Sequence, residues 1–353
     1  MPEGGKRVLV TAIRAIGDLV LITPILRLLK QRVPASYLAV IADGLSAEVL
    51  RHNPHVDRIV EIDRRAWHSL SWLERIRRTV RLAKDLRNER FDVGVDLFSG
   101  PRSAWLMWLS GSRERYGEDF RSRGRGFLYT QPIKILHDGR HLVEQKLELV
   151  HAMISDAESG EVKLELFLSE EEQTRAGTIL ARHGLTAETL VGLVPGAGSV
   201  YRQWPADRFA AVGDRLARDY GAQIVLLGGP EDVPICRRVA QRMECKATDL
   251  SGTTTLRESL ALLREMGLVI SNVTGPMHIA VALDKPKVIA LFGGADICQY
   301  APWGATGFML TKGSKTEAYW DKIDYEQDYT KYLMQITTNE VCGLAQTLLG
   351  RRV

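Results

Sequence analysis

The chain has 353 residues, 45% of them hydrophobic and 25% charged, which excludes a disordered or fibrous protein and suggests two domains of roughly 150 to 180 residues each. Its formal net charge is only +4, but residues 64–125 carry 15 Lys or Arg against 8 Asp or Glu, so the basic character belongs to the first half. The most apolar early run, Leu19–Leu26, contains Pro24 and meets Arg27, far short of the ~20 residues that span a bilayer.

In chain order, Met1–Lys6 leads straight into the strand-like Val8–Leu9–Val10 without a signal-peptide pattern, and the chain is expected to stay in the cytoplasm. Strand-like runs at Arg7–Ala12, Tyr37–Ile41, Asp57–Ile62 and Phe91–Asp96 alternate with helix-like stretches such as Leu19–Lys30 and Leu73–Leu86, which predicts a first parallel sheet. Trp67, Trp72, Trp105 and Trp108 fall in the basic stretch; Trp beside Arg suits contact with an anionic partner, and the plainer reading is a solvated face above core aromatics. The polar, helix-like Ser169–His183, followed by Gly184, reads as a connector. Beyond it, strands at Leu190–Val194, Gln223–Leu227, Leu268–Ser271 and Lys287–Phe292 alternate with helices near Ala206–Ala217, Val233–Arg242, Leu256–Glu265 and Met277–Leu283, which predicts a second sheet. Cys236, Cys245, Cys298 and Cys342 show neither a C-x-x-C pair nor zinc spacing, and all four read as buried or incidental thiols in a reducing compartment.

Ligands of an open α/β sheet bind beyond the carboxyl ends of its strands, so residues directly after strands are the candidates for chemistry. After the first strand comes Arg14-Ala15-Ile16-Gly17-Asp18, where Gly17 permits close approach. Asp18 reads either as a helix N-cap or as a carboxylate that takes a proton from a substrate hydroxyl. After the first strand of the second half, Pro195-Gly196-Ala197-Gly198-Ser199 offers backbone N–H groups to a phosphate and Arg202 a charge-assisted contact, although the run is neither a P-loop nor a G-x-G-x-x-G fingerprint. Trp204-Pro205 reads as a helix start. Further on, Asn272-Val273-Thr274-Gly275-Pro276-Met277-His278 places backbone donors at a helix N-terminus, a seat for a diphosphate, with His278 one turn in. Leu291-Phe292-Gly293-Gly294-Ala295-Asp296 reads alone only as a loop.

The order of these pieces, R-A-I-G-D-L-V-L-I-T-P, H-N-P-H-V-D, P-G-A-G-S with W-P-A-D-R-F, L-L-G-G-P-E, D-L-S-G-T-T-T-L, N-V-T-G-P-M-H and L-F-G-G-A-D, resembles glycosyltransferase family 9, the heptosyltransferases of the bacterial lipopolysaccharide core. The resemblance runs from Val8 to about Gly304 and again over Asn339–Leu349. It implies a GT-B fold, two Rossmann-like domains facing across a cleft: 1–168 for the acceptor, a connector over 169–187, 188–336 for the nucleotide sugar, and a closing helix over 337–353 that packs back on the first domain.

Carried over by position, the resemblance makes Asp18 the general base. It makes Gly196, Ser199, Arg202, Glu231, Val273, Thr274, Gly275, Pro276 and His278 the donor site, with Arg202 where the family usually has Lys and Glu231 on the ribose. The acceptor is expected to meet Arg14, Gly17, Arg64 and Arg121. Val273 stands where the family usually carries an Asp that contacts the transferred sugar, so either backbone groups or water replace the carboxylate there, or an apolar wall selects a less hydroxylated donor. The implied reaction is inverting transfer from a nucleotide diphosphate sugar, most simply ADP-heptose, with no metal, no cofactor beyond the donor and no nucleic-acid partner. An anionic glycolipid acceptor accounts for the basic first half and implies peripheral attachment to the cytoplasmic membrane face. Alternatives are a sugar-nucleotide epimerase and a GT-B nucleotide-sugar-binding protein without transferase activity. A nicotinamide dehydrogenase ranks below both for want of the fingerprint.

Overall fold

The computed structural model describes residues 5–33, 37–119, 126–136, 139–154, 161–186, 189–293, 297–312 and 330–350. Its residues group into two units, Met1–His137 with Leu142–Val162, and Asp138–His141 with Lys163–Val353.

The first unit holds a six-stranded sheet of β1 (Arg7–Ala12), β2 (Tyr37–Asp43), β3 (Arg58–Ile62), β4 (Val93–Asp96), β5 (Glu114–Glu118) and β6 (Gln131–Ile133), in the order β3-β2-β1-β4-β5-β6. The second repeats the arrangement with β7 (Leu190–Val194), β8 (Gln223–Leu226), β9 (Ala247–Asp249), β10 (Leu268–Asn272), β11 (Lys287–Phe292) and β12 (Gly307–Thr311), in the order β12-β11-β10-β7-β8-β9. Every pairing is parallel. Helices cover both faces of such sheets, which is why β1, β7 and β10 are rich in Val, Leu and Ile and are buried almost throughout. This is the doubly wound Rossmann order, met twice.

Local chemistry places the helix ends. Thr255 and Glu258 form a capping box on the Leu256–Glu265 helix, and Gly221, at φ 62°, takes the left-handed position that closes Ala206–Tyr220. The stretch expected as one helix from Leu19 to Lys30 is two, Ile16–Leu21 and Thr23–Arg32, because Pro24 has no N–H to continue the first but fits the opening turn of the second.

Packing ties two more helices into the second unit. The helix Glu170–Arg182, read as a connector, is built into the second unit: Arg257 donates to both Glu172 carboxylate oxygens at 2.7 Å and to the Phe167 carbonyl at 2.6 Å. The closing helix Thr338–Leu349 buries Val341, Cys342 and Ala345 in the second unit's core with Trp204, Phe209 and Leu216. Trp204 dictates this. Fully buried, its indole N–H needs an acceptor and finds the Ile336 carbonyl at 3.1 Å, while Arg208 donates to the carbonyls of Met334 and Ile336. Trp204 is therefore a core residue, and Pro205 caps the helix that follows.

The tryptophans of the basic stretch divide between the two readings given to them. Trp67 packs against the first unit's core, whereas Trp72, Trp105 and Trp108 are exposed. Of the cysteines, Cys236 and Cys342 are buried and Cys298 is exposed.

Candidate functional site

In the first sheet the chain winds outward from β1 through β2 to β3 in one direction, and from β4 through β5 to β6 in the other. The carboxyl ends of β1 and β4 thus flank the point where strand order reverses, and β7 and β10 do the same in the second sheet. Doubly wound sheets bind ligands at such points. The Arg14–Asp18 loop follows β1, the Pro195–Ser199 loop follows β7 and the Val273–Gly275 turn follows β10.

Asp18 is the third residue of the Ile16–Leu21 helix. The N-cap is Ala15, so Asp18 is not a cap, and it is not exposed either: its relative exposure is 8%. Burial pushes its carboxyl above the usual carboxylate range, and Arg14, whose Nε donates to Oδ2 at 3.0 Å, opposes that rise, as Lys146 does more weakly. Across the reversal point, Asp96 at the end of β4 is fully buried and accepts from the Ser99 N–H at 2.9 Å and the Tyr129 hydroxyl at 2.8 Å. Those bonds hold Ser99 in the left-handed region at φ 47°, where its Oγ accepts the Glu118 N–H at 2.8 Å. Phe98, between them, carries the Arg14 guanidinium 5.2 Å and the Lys146 ammonium 5.1 Å from its ring centre.

Lys146 escaped the sequence reading. It lies on the Leu142–His151 helix at 1% exposure, where burial lowers its pKa and Glu118 counters. Its signal was a lysine at the register of Leu142, Leu149 and Val150, on the helix's apolar face. Of the acceptor candidates, Arg14 and the half-buried Gly17 belong to this cluster. Arg64 is committed elsewhere: its Nε donates to Asp43 Oδ2 at 2.7 Å and its backbone N–H to Oδ1 at 3.2 Å, which ties the end of β2 to the Arg64–Ser69 helix that follows β3. Arg121 lies outside the described residues.

In the second unit one buried side chain joins the two loops. Asn272, fully buried at the end of β10, donates from Nδ2 to the Pro195 carbonyl at 2.8 Å and accepts the Trp204 N–H on Oδ1 at 3.0 Å. Gly196 is needed for packing more than for a phosphate: a Cβ there would stand 2.1 Å from Asp232 Oδ1. Asp232, not Glu231, is the inward carboxylate of its turn. It accepts the Gly229 N–H at 3.0 Å, and burial raises its pKa, whereas Glu231 is exposed. Ser199 caps the Val200–Arg202 turn by accepting the Tyr201 N–H at 3.3 Å, and Arg202 is half-buried at the end of that turn.

Thr274 precedes the Gly275–Ala282 helix and caps none of its N–H groups with its side chain. The open donors expected there are fewer than the sequence suggested. Pro276 has none, and the N–H groups of Met277 and His278 go to the Thr274 carbonyl at 3.1 and 3.4 Å, which leaves Gly275 and the positive end of the helix. Val273 and Thr274 are half-buried. His278 is buried, and burial together with the nearby His141 lowers its pKa to about 3, so it stays neutral. Within this unit His141 stacks on Trp303 with ring centres 4.6 Å apart.

The profile of glycosyltransferase family 9 (heptosyltransferase) matches residues 79–329. The chain belongs to glycosyltransferase family 9. Over 343 residues it is 26% identical to lipopolysaccharide heptosyltransferase 3 of Escherichia coli K12, a match that takes in 94% of this chain and 95% of that protein. Among solved structures, a family 9 glycosyltransferase from Veillonella parvula superposes with a TM-score of 0.85 at 25% identity, over 99% of this chain and 98% of that one. The E. coli ADP-heptose lipopolysaccharide heptosyltransferase II superposes with a TM-score of 0.80 at 22% identity, over 97% and 98%. The two Rossmann-like units are thus those of a GT-B family 9 glycosyltransferase. The family profile starts beyond the Asp18 loop, so the case for that residue rests on its geometry and on position in the sequence.

Proposed function

We propose that this family 9 glycosyltransferase transfers a heptose from ADP-heptose to a hydroxyl of a lipopolysaccharide-core glycan, in one inverting displacement that needs no metal ion. The heptosyl group is supported by the relatives, which include lipopolysaccharide heptosyltransferase 3, and the ADP portion by the E. coli ADP-heptose enzyme of the same fold. The observation that carries the mechanism is Asp18, a buried carboxylate at the strand reversal of the first sheet, paired with Arg14 at 3.0 Å. A base must be ionised before it can take a proton, yet basic enough to want it. Burial supplies the basicity, and Arg14 with Lys146 favours the ionised form.

In the proposed step the acceptor oxygen attacks the donor's anomeric carbon, its proton passes to Asp18, and the bond to the diphosphate breaks. Charge appearing on the departing diphosphate is met by Arg202, Thr274, the Gly275 N–H and the helix end behind it, with Gly196 and Ser199 completing the loop. Glu231, exposed on its turn, is the carboxylate we assign to a ribose hydroxyl. Val273 gives the sugar pocket an apolar wall, so a heptose hydroxyl at that point is left to bond with backbone groups or water. The acceptor's lipid would hold the enzyme at the membrane surface, and among the described residues no helix is long and apolar enough to cross one. Replacing Asp18 by Asn should lower turnover of ADP-heptose by roughly 10² to 10⁴ while ADP affinity stays within about twofold. Near-normal turnover overturns the assignment.

A further inference from the structure

On the Trp72–Asn88 helix, Trp72, Ile76 and Val80 follow one another at four-residue spacing, with Leu73 beside them, and they are 68%, 52% and 62% exposed. At 100° per residue these four occupy an arc of about 100°, a continuous and exposed apolar ridge. The next positions around the helix, away from the core-facing Leu82 and Leu86, are Arg77, Arg81 and Lys84. Arg77 has only a distant contact with Glu74 at 3.9 Å, and Arg81 and Lys84 have no acidic partner among the described residues. The apolar ridge is thus bordered lengthwise by a row of exposed cations.

A second apolar group lies on the adjoining Pro101–Leu109 helix. Trp105 and Trp108 meet edge to face at 5.7 Å, Phe127 meets Trp105 at 6.5 Å, and all three are exposed. Both helices cover the same side of the first sheet, since Leu86, Ala104 and Met107 share one core cluster, and Arg87 Nε joins them by donating to the Leu109 carbonyl at 2.8 Å. The exposed residues of the two helices therefore leave the same layer. Exposed aromatics at this density are rare on a face meant only for water.

We infer that this face docks on an anionic lipid bilayer, with Trp72, Ile76, Val80, Trp105, Trp108 and Phe127 entering the headgroup boundary. Charge complementarity selects this occupant: residues 64–125 carry a net +7, and the cations of the helix border the apolar ridge on the side away from the core, as in helices that lie in a membrane interface. None of these residues takes part in the proposed catalysis. The inference deepens the reading of the acceptor as lipid-borne, and it can fail independently of it.

The test is flotation of the full-length protein with vesicles of phosphatidylcholine alone and with 30% phosphatidylglycerol, at low and high salt, beside turnover on a lipid-free core oligosaccharide. Expected is at least tenfold tighter binding to the anionic vesicles, weakening as salt rises. Replacing Trp72, Ile76 and Val80 together by Ser should cost tenfold or more in vesicle binding. Replacing Arg77, Arg81 and Lys84 together by Glu should cost about a hundredfold or more. Both variants should turn over the lipid-free acceptor as the parent does. Equal binding to the two vesicle types overturns the inference, and so do unchanged binding by both variants or a concentration-dependent dimer that the Ser variant dissolves. Loss of turnover by the parent itself, with vesicle binding intact, would count against the transferase reading alone.

Discussion

Asn272 offers the sharpest test of how the donor loops are held. Its amide bridges the Pro195 carbonyl at 2.8 Å and the Trp204 N–H at 3.0 Å, with a longer contact to the Gly196 carbonyl at 3.4 Å, and all of it is buried. In Asn272→Ala the two good bonds are lost and a backbone donor and acceptor are stranded without water, each costing about 1–3 kcal/mol. The variant should lose about 2–5 kcal/mol of stability, a large share of the roughly 5–15 kcal/mol typical of a protein. Because the β7 loop is then tethered less firmly, ADP affinity should fall by about fivefold to thirtyfold as the loop pays ordering entropy on binding. Urea unfolding with linear extrapolation reads the first quantity, and titration calorimetry with ADP the second. Asn272→Asp adds a sign. A carboxylate facing the Pro195 carbonyl is buried and repelled, so its folded pKa lies above the unfolded ~3.9. Stability is then highest when the group is protonated and falls as pH rises from about 4 through the folded value, so this variant should be less impaired in acid than at neutral pH. A loss below about 0.5 kcal/mol in both variants, with ADP affinity unchanged, would refute the bridging role.

Arg202→Ala should weaken ADP binding by about 1.5–3 kcal/mol in calorimetry if the guanidinium meets the diphosphate, and unchanged affinity would return Arg202 to a surface role. Val273→Asp should raise turnover with ADP-heptose selectively across a panel of nucleotide sugars, since a roughly tenfold to hundredfold preference is what one buried hydroxyl can decide; an equal effect on every donor would falsify this. Lys146→Met removes a cation that favours ionised Asp18, so the acid limb of the kcat/KM profile should move to higher pH. An unmoved limb would show that Lys146 does not act on the base.

Sequence by itself determined the two-sheet architecture, because a parallel sheet covered on both faces needs unbroken apolar strands, and β1, β7 and β11 appear with the bounds that Val, Ile and Leu mark out. It also placed the loops after β1, β7 and β10, since glycine and proline there interrupt both strand and helix patterns. The strands at or next to the sheet edges, β5, β6, β9 and β12, escaped it, because they are only partly buried and mix glycine, polar or charged residues among the apolar ones. Tertiary structure alone decided that Asp18 is buried rather than capping, that Lys146 sits beside Phe98 within its reach, and that Asn272 clamps two loops 77 positions apart. It also decided which unit owns the closing helix, through the acceptor that a buried indole N–H demands. Periodicity reports which face of an element is apolar. Burial of a charged or polar group, and the partner that makes its burial tolerable, depend on what the other elements bring to the same place.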